Sequence, residues 1–284
     1  MRPDGTRFQN HQSTIKLQKR SHWNLSHFSW KVIMLKIWKY RLKHVTLQSR
    51  NIIATPSYMY INTLIIRFSN KIQQWEIPYF RGAIINAVGD NCSQLFHNHD
   101  GEGFRYRYPL IQYKRIHGQA AIVCIGQGVE EIGAFFRNSD FTLKLGDKPA
   151  TTFEIESIIP HRTLVQIWNE PFTYHLHNWL PLNPENHQKY MELEGIVERT
   201  QMLEKVLIGN ILSTCKGLGV TVEGEITCKI LQTSEPQVTR YKQMPYVSLD
   251  GEFKSNISLP NYIGLGKGSS MGHGIIVIKK ETMQ

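Results

Sequence analysis

Hydrophobic positions from Met59 onward change their period in an order that predicts alternating strands and helices. Residues 60–68 are apolar and β-branched, which predicts a strand, and apolar side chains recur at helical spacing in residues 79–88, just after Pro78. Further strands are predicted at 104–116, 119–125, 141–145 and 151–168, and a second helix at 128–137. This β-α-β-β-α-β order is that of the ferredoxin-like unit, which RNA-recognition domains share. Because so many proteins use this fold, the order by itself indicates no activity.

A second unit follows a segment with three prolines, Pro171, Pro181 and Pro184, which predicts a joint between domains. Helices are predicted at 184–191 and 194–215, and strands at 220–231, 241–254 and 275–280, with Asp250-Gly251 as an optional hairpin turn. The predicted fold class is α+β, with two tandem ferredoxin-like (RRM-like) domains built on antiparallel sheets. Residues 59–170 form the first, and residues 171–284 form a degenerate second one that contains a glycine-rich loop.

The formal net charge of +10 is confined to the first fifth of the 284-residue chain. Residues 1–58 contain 11 of the 33 Lys and Arg but only one of the 23 acids, Asp4, so the remainder is neutral overall. This extension shows no sustained helix or strand period. A mis-assigned start or a dispensable extension is the preferred interpretation. The alternatives are a basic arm that folds on nucleic acid and a short amphipathic helix around Trp30–Leu42.

Composition argues against a membrane-spanning protein and against a protein that depends on disulfides or a cysteine metal site. The chain has no run of about 18 uncharged apolar residues, so a membrane-spanning helix is not expected. The four cysteines lie far apart without a C-x-x-C pair, which argues against a disulfide framework or a cysteine metal site and favours the cytoplasm.

Residues 95–109, LFHNHDGEGFRYRYP, concentrate ionisable side chains. His97 and His99 stand two residues apart beside two acids, so metal ligation is one interpretation, although no cysteine is near. An acid–base pair is a second, because one imidazole can accept a proton near neutral pH while the other donates one. A polar surface loop with incidental histidines is the third.

An acid–base pair of this kind suits cleavage of RNA by its own 2′-hydroxyl. The base removes the 2′-OH proton, the oxygen attacks the adjacent phosphorus, and the acid protonates the 5′-oxygen that leaves. Arg105, Tyr106 and Arg107 are then candidates for stabilising the charge that builds on the phosphorane.

Residues 264–274, GLGKGSSMGHG, contain five glycines in eleven positions. Glycine permits positive φ and leaves backbone amides bare, which lets a chain wrap closely around phosphates. The segment lacks the Gly-Lys-Ser/Thr ending of a P-loop, and a strand rather than a helix follows it, so it is neither a P-loop nor a dinucleotide fingerprint. A flexible turn before the last strand is the plain alternative.

Basic residues also alternate with aromatic ones in Arg105-Tyr-Arg-Tyr108 and Tyr113-Lys114-Arg115. On a strand, such alternation can present tyrosines for base stacking and arginines for phosphate, or it can be ordinary strand content with one buried face. The candidate RNA-binding residues are Arg105, Arg107, Lys114, Gly264, Gly266, Lys267, Gly268, Gly272 and Gly274.

The glycine-rich segment resembles the glycine-rich loop of the repeat-associated RNA-processing proteins of CRISPR systems. Residues 80–84 (FRGAI), 95–99 (LFHNH) and 105–114 (RYRYPLIQYK) are similar to the N-terminal half of one branch of that family. The resemblance runs from Met59 to Lys280 and leaves residues 1–58 without a counterpart. His273 departs from the family pattern, in which a hydrophobic residue is usual.

The resemblance implies two ferredoxin-like domains and a metal-independent endoribonuclease without cofactors. Such an enzyme cuts precursor CRISPR RNA within each repeat and leaves a 2′,3′-cyclic phosphate and a 5′-hydroxyl. The matching catalytic positions are His97, His99 and Tyr106. The implied partners are repeat RNA, other CRISPR effector subunits and a second copy of the chain, with no membrane. A non-catalytic RNA-binding subunit is the alternative, and a metabolic protein that holds a small phosphorylated ligand is a third interpretation.

Overall fold

The computed structural model describes residues 15–16, 59–89, 94–97 and 108–279. The strands in chain order are β1 (Ile15–Lys16), β2 (Met59–Lys71), β3 (Ile111–Ile116), β4 (Gln119–Ile125), β5 (Thr142–Leu143), β6 (Thr151–Thr152), β7 (Ile155–Val165), β8 (Ile167–Trp179), β9 (Cys228–Thr233), β10 (Gln237–Tyr241), β11 (Met244–Ile257) and β12 (Ile275–Ile278). The helices are α1 (Ile77–Val88), α2 (Gln94–His97), α3 (Gly128–Glu131), α4 (Gly133–Asn138), α5 (Pro184–Glu192) and α6 (Ile196–Gly217), and a 3₁₀ turn (Gln74–Glu76) precedes α1. Within these ranges no helix has the length and apolar character needed to cross a membrane.

The N-terminal domain has the ferredoxin-like topology that its periodicity predicted. Its sheet runs β1-β7-β2-β4-β3 with antiparallel pairing throughout. Helices α1 and α4 cover one face, where Phe68, Phe80 and Phe135 meet edge to face in an aromatic core. Tyr113, on the edge strand β3, also packs in this core.

The C-terminal domain repeats the topology in degenerate form. Its sheet runs β10-β11-β8-β12, and β9 pairs with another part of β11, so two short strands share one edge. The long helix α6 packs on this sheet through Leu203, Leu207 and Ile211. The glycine-rich segment stands between β11 and β12, where a complete ferredoxin-like unit would have its second helix.

The second face of the N-terminal sheet is covered by the C-terminal domain. Ile61, Ile65 and Val123 on that face belong to one apolar core with Leu207 and Leu265 of the C-terminal domain. Both faces of the first sheet are therefore buried, and the two domains meet around the glycine-rich segment.

The predicted proline-rich joint is wrong, because β8 occupies most of it and forms a central strand of the second sheet. Proline is tolerated there because pairing with β11 is interrupted between Ile167 and Phe172, so Pro171 costs no ladder hydrogen bond. His175, His177 and Trp179, predicted as linker residues, lie on this strand. The predicted division between residues 170 and 171 falls inside β8.

Local signals misplaced several smaller features. The hairpin turn lies at Lys242-Gln243, where both residues have positive φ, and Asp250-Gly251 is part of a register shift within β11. The predicted helix 128–137 is two short helices, and the predicted strand 220–231 begins only at Cys228. Helix α5 begins as expected, because the side chain of Asn183 accepts the amide hydrogen of Asn186.

Candidate functional site

The glycine-rich loop, residues 264–274, joins the two sheets through main-chain hydrogen bonds. On one side the amide of Tyr113 in β3 donates to the carbonyl of Ser270 over 2.9 Å. On the other, the amide of Gly274 donates to the carbonyl of Asn178 in β8 over 3.0 Å. Because β3 is an edge strand, its free edge is paired by the loop instead of by another strand.

Close packing explains why glycine is needed at both ends of this loop. Gly274 has φ +64°, and a Cβ there would overlap the carbonyl oxygen of Leu265. At Gly264 a Cβ would lie 2.8 Å from Nζ of Lys114 and 2.7 Å from Cα of Ser269. Glycine at 274 therefore permits the two ends of the loop to approach each other, and glycine at 264 permits the loop to approach Lys114 of the N-terminal domain.

Two buried polar side chains of β3 lie directly under the loop. Gln112 and Lys114 alternate along the strand on the face toward the C-terminal domain, and each is 0% exposed. Oε1 of Gln112 accepts the amide hydrogen of Gly264 over 2.9 Å, and Nζ of Lys114 donates to the carbonyl of Ser269 over 2.6 Å. Burial lowers the pKa of Lys114 to about 7. The sequence placed Lys114 among the phosphate contacts, whereas its amine lies inside the protein.

Tyr108 connects the histidine-containing segment to the same loop. Its hydroxyl donates to the carbonyl of Gly264 over 2.8 Å, and its Cβ packs so closely on Gly217 of α6 that a side chain there would overlap it. Burial raises the pKa of Tyr108 far above its ordinary value, so the hydroxyl remains a donor.

The outer part of the loop carries Lys267 and contacts the β10–β11 hairpin. Nζ of Lys267 lies 3.0 Å from the hydroxyl of Tyr246 and 4.4 Å from the centre of its ring. Lys267 is half-buried, so part of this cation remains accessible.

His273 is a buried packing residue of the loop itself. It is 6% exposed, its ring meets Tyr241 edge to face at 5.5 Å, and its Nδ1 lies 3.3 Å from the carbonyl oxygen of Asn178. Burial lowers its pKa to about 4, so the imidazole is neutral at pH 7. It therefore occupies an interior position where the resemblance leads one to expect a hydrophobic residue.

Most of the predicted catalytic segment lies outside the described residues: His99, Arg105, Tyr106 and Arg107. His97 is the last residue of the short helix α2, which Phe96, 1% exposed, anchors in the N-terminal core. The catalytic assignment therefore stays a prediction. In the part of the chain that the structure describes, no three His, Cys, Asp or Glu side chains form a metal-binding group.

Sequence reasoning missed two residues that shape this site, Gln112 and Asn210, and it offered Tyr108 for base stacking, whereas the hydroxyl of Tyr108 binds Gly264. Asn210 of α6 lies against Gly266, and it was hidden because an asparagine within a helix has no distinctive pattern. Gln112 had a usable signal, since a glutamine and a lysine alternate on a strand that is otherwise largely apolar. Such polar pairs on a buried strand indicate hydrogen-bond partners elsewhere in the fold.

Both halves of the chain match family models. The Cas6b N-terminal domain model matches residues 59–161, and the Cas6b C-terminal domain model matches residues 166–279. The chain is also 38% identical over 103 residues to "Uncharacterized protein MJ0978" of Methanocaldococcus jannaschii, an alignment that covers 36% of this chain and 69% of the relative.

Two solved structures of Cas6b are also similar to this chain. A crystal structure of Cas6b is 26% identical, with a TM-score of 0.66, and the match covers 78% of this chain and 100% of the other. A second crystal structure, described as CRISPR RNA processing endoribonuclease Cas6b, is 24% identical with a TM-score of 0.58 over the same shares of the two chains. The second likeness supports the fold alone.

Proposed function

We propose that this chain, which belongs to the Cas6b family, is an endoribonuclease that cuts precursor CRISPR RNA within its repeats to produce guide RNAs. The observation that carries the proposal is the consecutive match of both Cas6b domains, from residue 59 to residue 279. The tandem ferredoxin-like topology and the similarity to a solved Cas6b support it.

The proposed mechanism is general acid–base cleavage without a metal. His99 transfers a proton, His97 is its partner, and Tyr106 orients the substrate or stabilises charge. One imidazole takes the 2′-OH proton, the 2′-oxygen bonds to phosphorus, the bond to the 5′-oxygen breaks, and the other imidazole protonates that oxygen. The products are a 2′,3′-cyclic phosphate and a 5′-hydroxyl.

The position of Tyr108 supports a site next to the glycine-rich loop. Tyr108 stands two residues after the proposed catalytic Tyr106, and its hydroxyl donates to the carbonyl of Gly264. The segment that carries the proposed catalytic residues therefore continues directly into a residue bound to the loop.

Both ends of the glycine-rich loop make hydrogen bonds within the protein, so fewer of its residues remain as candidates for RNA contact. The amides of Gly264 and Gly274 donate within the protein, to Gln112 and to the carbonyl of Asn178. RNA contact is therefore proposed for the middle of the loop, with Lys267 as its accessible cation, together with Arg105 and Arg107. Association with further CRISPR subunits or with a second copy, and a cytoplasmic location, remain proposals.

Cleavage of a repeat RNA in the presence of EDTA tests the function. We expect cutting at one position within the repeat and a cyclic-phosphate end detectable by mass spectrometry. A strict metal requirement would reject the mechanism. Binding without any product would favour the non-catalytic RNA-binding subunit, and the absence of both would favour a small phosphorylated ligand.

A double variant locates the chemistry. His97→Ala with His99→Ala should abolish cutting and leave the Kd for the repeat within a few-fold of the parent value. His175→Ala with His177→Ala is a matched control, because it removes the same His-x-His spacing from β8, where His175 is an accessible side chain paired with Glu252. Normal cutting by the first variant would place the active site elsewhere.

A further inference from the structure

Lys114 is buried in an unusual environment for a lysine. Among the described residues no carboxylate forms an ion pair with it, and its one hydrogen bond is to the carbonyl of Ser269. A buried amine without a counter-ion costs more free energy than an apolar side chain of similar size. Its presence under the glycine-rich loop therefore calls for a compensating role.

The surroundings of Lys114 indicate what that role is. Its own strand contributes Gln112, which binds Gly264, and Ala121 of β4 lies opposite it in the ladder. The loop contributes the Ser269 carbonyl and the imidazole of His273, whose pKa Lys114 helps to lower. The amine thus contacts the loop 155 residues further along the chain.

We propose that Lys114 is a positioning residue of the cleavage site, which fixes the Ser269 carbonyl from inside the protein and thereby sets the shape of the glycine-rich loop. Its effect on RNA rests on the proposed function, whereas its hold on the loop does not. Lys114 acts through the loop and does not touch RNA, which is a different role from the direct phosphate contact that the sequence suggested.

Proton linkage makes this role distinguishable from simple packing. Burial lowers the pKa of Lys114 to about 7, and an open loop would let water return that pKa toward the ordinary value of about 10.4. At a pH between these two pKa values, a loop that opens exposes the amine of Lys114, which then takes up a proton. The free energy of opening the loop therefore increases as pH rises from 7 to 9. An apolar residue at this position would show no such dependence.

Hydrogen exchange on the full chain tests the hold on the loop. Lys114→Met keeps most of the volume and removes the donor, while Lys254→Met removes an exposed strand lysine as a matched control. At pH 9, where the parent amine is neutral, loop peptides of Lys114→Met should exchange about tenfold faster after correction for intrinsic rates, because the Ser269 carbonyl loses its partner. At pH 6 the difference should shrink, since the parent then buries a charge.

Two exchange results would overturn the proposal. Equal loop exchange in parent and Lys114→Met at pH 9 would show that the amine does not hold the loop. An excess of the same size at both pH values would show a packing effect alone. If Lys114→Met does not fold, the same experiment on the parent protein tests the proposal. The exchange protection of the loop, relative to that of β2 and β4, should then rise from pH 6 to pH 9. A constant relative protection refutes the proposal.

Cleavage of repeat RNA separates positioning from contact. We expect the single-turnover rate of Lys114→Met to fall about tenfold with its Kd for RNA within threefold, and Lys254→Met to match the parent. A weaker Kd with a salt slope reduced by about one would instead indicate a direct phosphate contact and overturn the proposal. If the parent protein cuts no RNA, the proposed function fails, and the exchange experiment still tests the loop.

Discussion

Tyr108→Phe removes one hydroxyl from the contact between the two domains and leaves the ring in place. In the parent protein that hydroxyl donates to the carbonyl of Gly264 over 2.8 Å. Because burial raises the pKa of Tyr108 far above its usual range, the donor is present throughout the accessible pH range.

The expected cost follows from leaving a buried carbonyl without this donor. Such losses amount to about 1 to 3 kcal/mol, and we expect the free energy of unfolding to fall by about 1.5 kcal/mol. Urea denaturation of the full chain measures it as a lower midpoint at unchanged m-value. Tyr79→Phe is the matched control, since Tyr79 is 49% exposed and its loss of a hydroxyl should change stability by less than about 0.5 kcal/mol.

The same variant tests the coupling between Tyr108 and the proposed catalytic segment. If the hydroxyl holds the end of that segment against the loop, the single-turnover cleavage rate should fall more than RNA affinity does. Unchanged stability and unchanged cleavage in Tyr108→Phe would refute the assigned hydrogen bond and its role together. Reduced stability with normal cleavage would show that the hydrogen bond stabilises the fold and does not affect cleavage.

Two further predictions follow from His273 and from the N-terminal extension. Because burial lowers the pKa of His273 to about 4, the unfolded chain binds more protons between pH 6.5 and 4, and stability falls as pH falls across that window. Between pH 7 and pH 4, the free energy of unfolding of His273→Phe should fall by about 3 kcal/mol less than that of the parent protein. Urea titrations at the two pH values measure both changes, and an identical pH dependence in the two proteins would contradict the prediction. A chain that begins at Met59 should cut repeat RNA as fast as the full chain, because the family match begins at residue 59. A collapse of RNA binding on this truncation would instead identify residues 1–58 as a working basic arm.

Local patterns predicted the N-terminal domain well and parts of the C-terminal domain poorly. The alternation in β2 and the helical spacing in α1 are properties of neighbouring residues, and each is read directly from the chain. Strand β8 was hidden because Pro171 is a strong local signal, while the pairing that tolerates it depends on a partner strand more than 80 residues away. The bulge at Asp250-Gly251 was mistaken for a turn for the same reason.

The candidate site likewise has some features that the sequence alone determines and others that depend on the tertiary structure. Sequence alone determined that glycines concentrate at 264–274, that a His-x-His pair precedes an Arg-Tyr-Arg stretch, and that the +10 charge belongs to residues 1–58 and not to the matched domains. Only the tertiary structure decided that Lys114 is internal, because a lysine on an edge strand is normally exposed and its burial here depends on a loop that arrives 155 residues later. Composition and spacing are local properties of the chain, whereas burial is determined by all the segments that pack together.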